Sequence, residues 1–365
     1  MKHAMKTGYI ALLAAACFGQ ANYAATPHNV IYWNNDTTQL QTLASSAYTD
    51  VIVNFVVPNS SCNLGSNGGL GSGMAATIQT LHQKGKTVLV AFGGSNATST
   101  AYKACNRNIG NLVGQLQNIV TNNGFDGVDI DFEDDNGFNG KYDGVNFLTQ
   151  LTNNLYNALP QGHNLITHAP QTVYWTEKFK GYPNPPYALV FQNTQGSVAW
   201  FNNQSYNNCL NGGNTDCTAQ QKFNSYRAIV RLGVPPAKLL VGLPVAYCAT
   251  TDNNNQCNGD GYIPLNTGGP NDVQVLISEL QGAYPHQFGG VMGWNYLDDV
   301  TYDSGKWGAN IAYLLKITQP PNRGSNDDSH FYVVTPERGN HQNWPFVAVL
   351  RGTCDRTGGS CRASH

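Results

Sequence analysis

Charge is scarce in this sequence. Of 365 residues only 12% are Asp, Glu, Lys or Arg, and 20 basic against 22 acidic side chains leave a formal net charge of −2. No basic field is available to hold nucleic acid or an anionic membrane, so an uncharged small or polymeric substrate fits better. Metal-ligand spacing is also missing, because neither C-x-x-C nor H-x-x-x-H occurs. A calcium loop in the acidic run near residue 130 fails, since Asp134 or Asn136 stands where its glycine is required. Gly71, Gly73 and Ala76 match a dinucleotide fingerprint only loosely, without the preceding strand or the following acid.

What is present begins with a leader. Lys2, His3 and Lys6 precede an apolar run from Tyr9 to Phe18 that is too short to span a bilayer, and Ala21, Ala24 and Ala25 follow. That pattern predicts a signal peptide over residues 1–24, cleaved after Ala24 or Ala25, and a secreted product, extracellular or periplasmic. A lipid anchor on Cys17 is disfavoured by Ala14, where a larger aliphatic residue is expected. Loss of Cys17 leaves an even set of cysteines to pair in an oxidising compartment. Many pairings are open. The close couples Cys209/Cys217, Cys248/Cys257 and Cys354/Cys361 read as loop staples, leaving Cys62 with Cys105.

Short apolar runs alternate with helical patterns. Strands are predicted at Asn29–Asn35, Asp50–Val57, Thr87–Gly93, Gly127–Glu133, Leu165–Gln171, Val198–Tyr206, Leu239–Ala246 and Gly289–Tyr296. Helices are predicted at Met74–Lys84, Asn108–Asn122, Gly144–Leu159, Ala219–Leu232 and Asp272–Gln281. Near-continuous apolar strands suit a parallel sheet covered by helices. Eight such units argue for an α/β fold, a (β/α)8 TIM barrel over residues 25–316, against a doubly wound sheet. Residues 317–365 read as a short, disulfide-stapled C-terminal extension, with Phe331, Tyr332, Trp344 and Phe346 in a hairpin or a small carbohydrate-binding piece.

The strongest local signal is Asp126-Gly127-Val128-Asp129-Ile130-Asp131-Phe132-Glu133. Side chains alternate across a strand, so Asp129, Asp131 and Glu133 share one face and Val128, Ile130 and Phe132 the other. The apolar set fits beneath helices, which turns the acids into the barrel, with Glu133 nearest the C-terminal mouth where this fold opens its sites. Crowded carboxylates in low dielectric raise one another's proton affinity, and a protonated acid at the mouth can protonate a leaving oxygen. Asp129 lies too deep to touch substrate and acts through Asp131. Acids on one strand face cannot flank a sugar ring, so on an N-acetylated sugar the expected nucleophile is the substrate's own 2-acetamido oxygen.

D-G-x-D-x-D-x-E is the motif of glycoside hydrolase family 18, and Asp126 to Glu133 match each fixed position. The chain resembles hevamine-like members of that family from about Asn29 to Tyr296. Ile31-Tyr32-Trp33 is similar to their first strand, Gln204-Ser205-Tyr206-Asn207-Asn208 to their Q-x-Y-N-N segment, and Gly289-Gly290-Val291-Met292-Gly293-Trp294 to G-G-V-M-x-W. The resemblance implies a proton donor at Glu133, an acetamido partner at Asp131 supported by Asp129, and a hydrogen bond from Tyr206 to the acetamido oxygen. It also implies sugar contacts from Tyr32, Gln204, Asn207 and Trp294. One departure stands out: Ala91-Phe92-Gly93-Gly94 replaces the usual S-x-G-G, so a hydroxyl beside the acids is lost. The short interval between Ala246 and Gly289 leaves no room for the α+β insertion of deep-cleft members, which implies an open cleft and endo cleavage.

The expected activity is that of an endo-acting, retaining chitinase on chitin or N-acetylglucosamine oligosaccharides, a monomer needing no metal or organic cofactor. Two alternatives use the same scaffold, an endo-β-N-acetylglucosaminidase on N-glycans and a non-catalytic chitin-binding lectin. The lectin reading is weakened by the presence of Glu133.

Overall fold

The computed structural model describes residues 26–317 other than 35–36, 67–69, 72, 211–214 and 253, and in the tail the backbone of three strands at 332–336, 347–354 and 361–364. The expected leader over residues 1–24 lies outside the described residues, as do the side chains of Cys354, Cys361 and the tail aromatics.

Nine strands form the main sheet: β1 (His28–Asn34), β2 (Asp50–Pro58), β3 (Leu64–Ser66), β4 (Thr87–Gly93), β5 (Gly127–Asp131), β6 (Leu165–His168), β7 (Trp200–Gln204), β8 (Leu239–Pro244) and β9 (Gly290–Trp294). All but β3 pair in parallel with their neighbours, and β1 pairs with both β2 and β9, so eight strands close into a barrel. β3 only adds a short antiparallel ribbon to the end of β2. The tail strands β10 (Tyr332–Pro336), β11 (Val347–Cys354) and β12 (Cys361–Ser364) form their own antiparallel sheet. The eight predicted strands are all found, several ending earlier; β5 stops at Asp131, so Glu133 stands just past the strand rather than within it.

The five predicted helices are also present, at Met74–Gln83, Ile109–Asn123, Gly144–Ala158, Ala219–Arg231 and Val273–Ala283. Each presents an apolar stripe to the barrel wall, such as Leu112, Leu116 and Val120 on one and Phe147, Leu148, Leu151 and Leu155 on another. Strand alternation divides the core in two. Ile31, Val51, Val90, Val128, Ile130 and Phe201 point outward into the layer beneath the helices. Val30, Tyr32, Ile52, Leu89, Ala91 and Met292 point inward and fill the lumen.

Disulfides join Cys62 to Cys105, Cys209 to Cys217 and Cys248 to Cys257, with Cα–Cα separations of 4.9, 4.9 and 4.5 Å. The first ties the turn after β2 to the helix Ser99–Asn106; the others staple loops after β7 and β8. The helix Val273–Ala283 follows the last of these loops, and no strand intervenes between β8 and β9 among the described residues.

Two fixed positions of the acidic motif serve the barrel rather than the chemistry. Asp126 accepts hydrogen bonds from Val88 N at 2.7 Å and His82 Nε2 at 2.9 Å, anchoring the entry to β5. Gly127 lies so close to β6 that a Cβ there would sit 1.8 Å from the Leu165 carbonyl oxygen and 2.6 Å from its carbon. Backbone cannot rotate away as a side chain can. Gly127→Ala should therefore cost about 3 kcal/mol, the upper end for overpacking, and lower the melting temperature by roughly 6–12 °C. A melting temperature within 2 °C of wild type would show that β5 and β6 separate freely.

Candidate active site

β5 builds the floor of the site. Asp129 is fully buried and Asp131 3% exposed, both on the lumen face, while Glu133 emerges beyond the strand end and is partly exposed. Gly94 N, at 2.8 Å, and Tyr102 Oη, at 3.2 Å, both donate to the Asp131 carbonyl. Gly93 is required beside it, because a Cβ there would meet that oxygen at 2.1 Å. Phe132 is buried against Tyr102 and Phe138. The backbone at Asp131 is thus held on several sides, which fixes where both acids point.

The deepest acid is solvated by protein. Tyr32 Oη donates to Asp129 Oδ2 at 2.5 Å, and Thr167 Oγ1 and Asn202 Nδ2 donate to Oδ1 at 2.5 and 3.1 Å. Burial pushes the Asp129 carboxyl upward, and these three donors pull it back toward the ionised form. Ala91 is the register partner of Asp129 on β4. The hydroxyl missing at position 91 therefore leaves no carboxylate oxygen of Asp129 without a donor. Asp129 reaches Asp131 through its charge, in keeping with an indirect role.

Asp131 and Glu133 behave as one unit. A single amide nitrogen, Gln204 Nε2, donates to Asp131 Oδ1 at 2.8 Å and to Glu133 Oε1 at 3.2 Å, and is itself oriented by the Ala169 carbonyl at 3.0 Å. The two carboxyls also share a hydrogen bond. Burial raises the proton affinity of both; Asp131 is raised further by the charges of Glu133 and Asp129 and by donating to Glu133. Two acids this close share their last proton above the ordinary carboxylate range.

A cavity of about 820 Å³ opens above this pair, lined among others by Tyr32, Asp131, Glu133, Gln204, Tyr206, Asn207 and Trp294. Seven of the eight side chains expected from the sequence therefore meet in one cavity, with Asp129 beneath it. Trp294 and Tyr32 pack edge to face at 5.5 Å and Phe55 joins them, 6.1 Å from Trp294, giving an aromatic wall suited to the apolar face of a pyranose. Tyr206 is 4% exposed, its hydroxyl makes no hydrogen bond to the described residues, and burial with the nearby Asp131 and Glu133 charges keeps it protonated. Asn207 adopts a left-handed backbone, φ 61°, tolerated by asparagine.

Sequence reasoning missed several contributors. Thr167 and Asn202 were legible, standing two positions before Ala169 and Gln204 on lumen faces of the barrel. Phe55 was not. Strict alternation from Ile52 would turn it toward the helices, but the register slips between Val53 and Val56, so Phe55 joins the lumen side and Val56 the outer layer. Asp135 and Glu177 also line the cavity, which carries no Lys or Arg among its lining residues. Such a site repels phosphates and carboxylates and admits neutral substrates. Among the described residues no group of three or more His, Cys, Asp or Glu side chains is placed to hold a metal ion.

Comparison with known proteins agrees with this geometry. Residues 28–334 match the family model for glycosyl hydrolases family 18. The crystal structure of a family 18 chitinase from Pseudoalteromonas aurantia superposes with a TM-score of 0.66 at 29% identity, over 78% of this chain and 99% of that one. A class V chitinase from Nicotiana tobaccum shares the fold, with a TM-score of 0.60 at 15% identity over 79% of this chain and 99% of its own. Endochitinase A of Aspergillus niger is 26% identical over 269 residues, 68% of this chain and 19% of that protein. The chain spans less than a fifth of the length of the curated relatives it matches. With a barrel closed around the D-G-x-D-x-D-x-E acids and a match running through all eight barrel strands, the chain belongs to glycosyl hydrolases family 18.

Proposed function

We propose that this protein is a secreted, monomeric, endo-acting chitinase that cleaves β-1,4 bonds between N-acetylglucosamine units with retention of configuration. The observation that carries the reading is the shared Gln204 amide, which holds the Asp131 and Glu133 carboxyls together on one wall of the cavity. A protein nucleophile needs its carboxyl across the sugar from the acid, roughly 5–5.5 Å away, and an inverting base roughly 6.5–9.5 Å. Two acids in hydrogen-bond contact leave no space for a ring between them, so the nucleophile comes from the substrate.

The residues then divide the work. The sugar rests on Trp294 with its acetamido N–H donating to Asp131. That bond stabilises the Asp131 anion, so the shared proton moves to Glu133, beside the glycosidic oxygen. Glu133 gives the proton to that oxygen as the C–O bond breaks, and the acetamido oxygen closes on C1. Tyr206 donates to the acetamido oxygen. Water then opens the oxazolinium ring while Glu133 takes back a proton, and the two displacements at C1 give the β-anomer. Tyr32, Thr167 and Asn202 favour the ionised form of Asp129 beneath the pair, and the Asp129 charge raises the proton affinity of Asp131.

Residues 25–316 form the catalytic unit on this reading. Three disulfides among the described residues suit export to an oxidising compartment. The direct measurement is a time course of product sizes and anomers on chitohexaose. Internal cleavage with β-anomeric products is expected, and fully deacetylated polymer should not be cut. Efficient cleavage of that polymer, or an α-anomeric product, overturns the mechanism; release of glycans from a high-mannose glycoprotein with chitohexaose untouched overturns the substrate.

A further inference from the structure

Behind the Tyr206 segment lies a set of buried charges that this chemistry does not use. Lys222, on the helix Ala219–Arg231, is completely buried, as is Asp216, and Asp260 is 1% exposed. The Lys222 ammonium donates to the carbonyl of Ser205 and, at 2.7 Å, to that of Asp216. Asp216 Oδ2 accepts from Asn208 Nδ2 at 3.3 Å, and the same amide donates to the Tyr206 carbonyl at 2.8 Å. Asp260 Oδ1 accepts from the backbone N–H groups of Cys209 and Leu210 at 2.9 and 3.3 Å, while its Oδ2 has no hydrogen-bond partner among the described residues. Gly261 presses directly on Tyr206, because a Cβ there would lie 2.6 Å from the tyrosine Cα.

All of these contacts except that between Lys222 and the Asp216 carbonyl converge on residues 205–210. Burying three ionisable groups is costly, and apolar side chains could fill the same space. Burial lowers Lys222 to about 8, with Asp216 and Asp260 acting in the opposite direction, so it remains an ammonium at neutral pH. A cation there can bind carbonyl oxygens strongly enough to fix a turn whose backbone is already left-handed at Asn207.

We propose that Lys222 is a positioning residue for Tyr206: by clamping the carbonyl of Ser205, with Asp216 and Asp260 completing a buried charge cluster, it sets where the phenol meets the acetamido oxygen. The inference rests on the role proposed above for Tyr206. It is separable from that role, because it concerns coupling between two side chains rather than the identity of the substrate.

A double-mutant cycle on the full chain tests it. Lys222→Met should lower kcat on chitohexaose by about 10- to 100-fold with KM changed less than about threefold, because the misplaced phenol fails chiefly in the transition state. Tyr206→Phe should absorb that effect, so the double variant should turn over within about threefold of Tyr206→Phe alone. Multiplying losses would mean that Lys222 acts on stability or elsewhere in the site, and the proposal falls. If Lys222→Met yields no folded protein, Asp260→Asn, which keeps the acceptor but removes a charge, should show the same non-additivity. Crystal structures give a readout independent of turnover: Tyr206 Oη should shift against Asp131 in the Lys222 or Asp260 variant. An unmoved phenol overturns the proposal even if wild type proves inactive on chitin.

Discussion

Glu133→Gln should lower kcat on chitohexaose by about 10³- to 10⁴-fold, the upper part of the range lost when a positioned general acid is removed. The amide has nearly the shape of the acid and can still meet Gln204, but it carries no proton that a leaving oxygen can take. Sugar contacts at Tyr32, Tyr206 and Trp294 are untouched, so the dissociation constant for the oligosaccharide should stay within about threefold of wild type. The variant should also melt no lower than wild type, because one member of a mutually repelling buried acid set has gone. Product chromatography and titration calorimetry check the two halves. Retention of more than about a tenth of wild-type turnover would remove Glu133 from its role, and unchanged behaviour in every assay would restore the lectin reading.

Asp131→Asn is expected to be nearly as severe, with kcat falling about 10²- to 10³-fold, and its pH profile is the more telling readout. In wild type the Asp131–Glu133 pair must hold one proton. Activity falls at low pH, where a second proton neutralises the anion that orients the acetamido N–H. It falls again at high pH, where the last proton leaves. Both carboxyls are raised by burial, and Asp131 further by its charged neighbours, so the high-pH limb lies above the ordinary carboxylate range. With Asn at 131 the anion is gone and Glu133 no longer titrates beside a charge of like sign. The low-pH limb should disappear and the high-pH limb should move toward acid. A profile with both limbs in their wild-type places would show that the two acids titrate independently, against the shared Gln204 bridge.

Both predictions rest on residues that could be named from the chain alone, because they depend on alternation. A strand places residues 129, 131 and 133 on one side whatever surrounds it, and the apolar residues between them must face the helices. The same rule, with continuous apolar runs separated by amphipathic helices, made eight barrel strands legible to within a few residues. Boundaries were less so. β5 ends at Asp131 because beyond it the chain turns outward to cap the short helix Asp135–Phe138, where Asp134 accepts from Asn136 N at 3.1 Å. Such caps are local bonds that periodicity does not report.

Residue types and spacing alone determined which acids share a face and which aromatics fall at the first, sixth and eighth barrel strands, β1, β7 and β9. What only the folded molecule decided is how distant segments meet. Gln204 becomes the bridge between two acids more than seventy positions away because β5 and β7 flank β6 in the barrel and both turn these side chains to the lumen. Phe55 reaches the sugar wall through a register slip on β2, and Lys222 comes to lie behind Tyr206 by the docking of a helix on its neighbour strands. Alternation is a property of the backbone and can be read from one segment; hydrogen bonds across a barrel depend on register and packing, which no single segment contains.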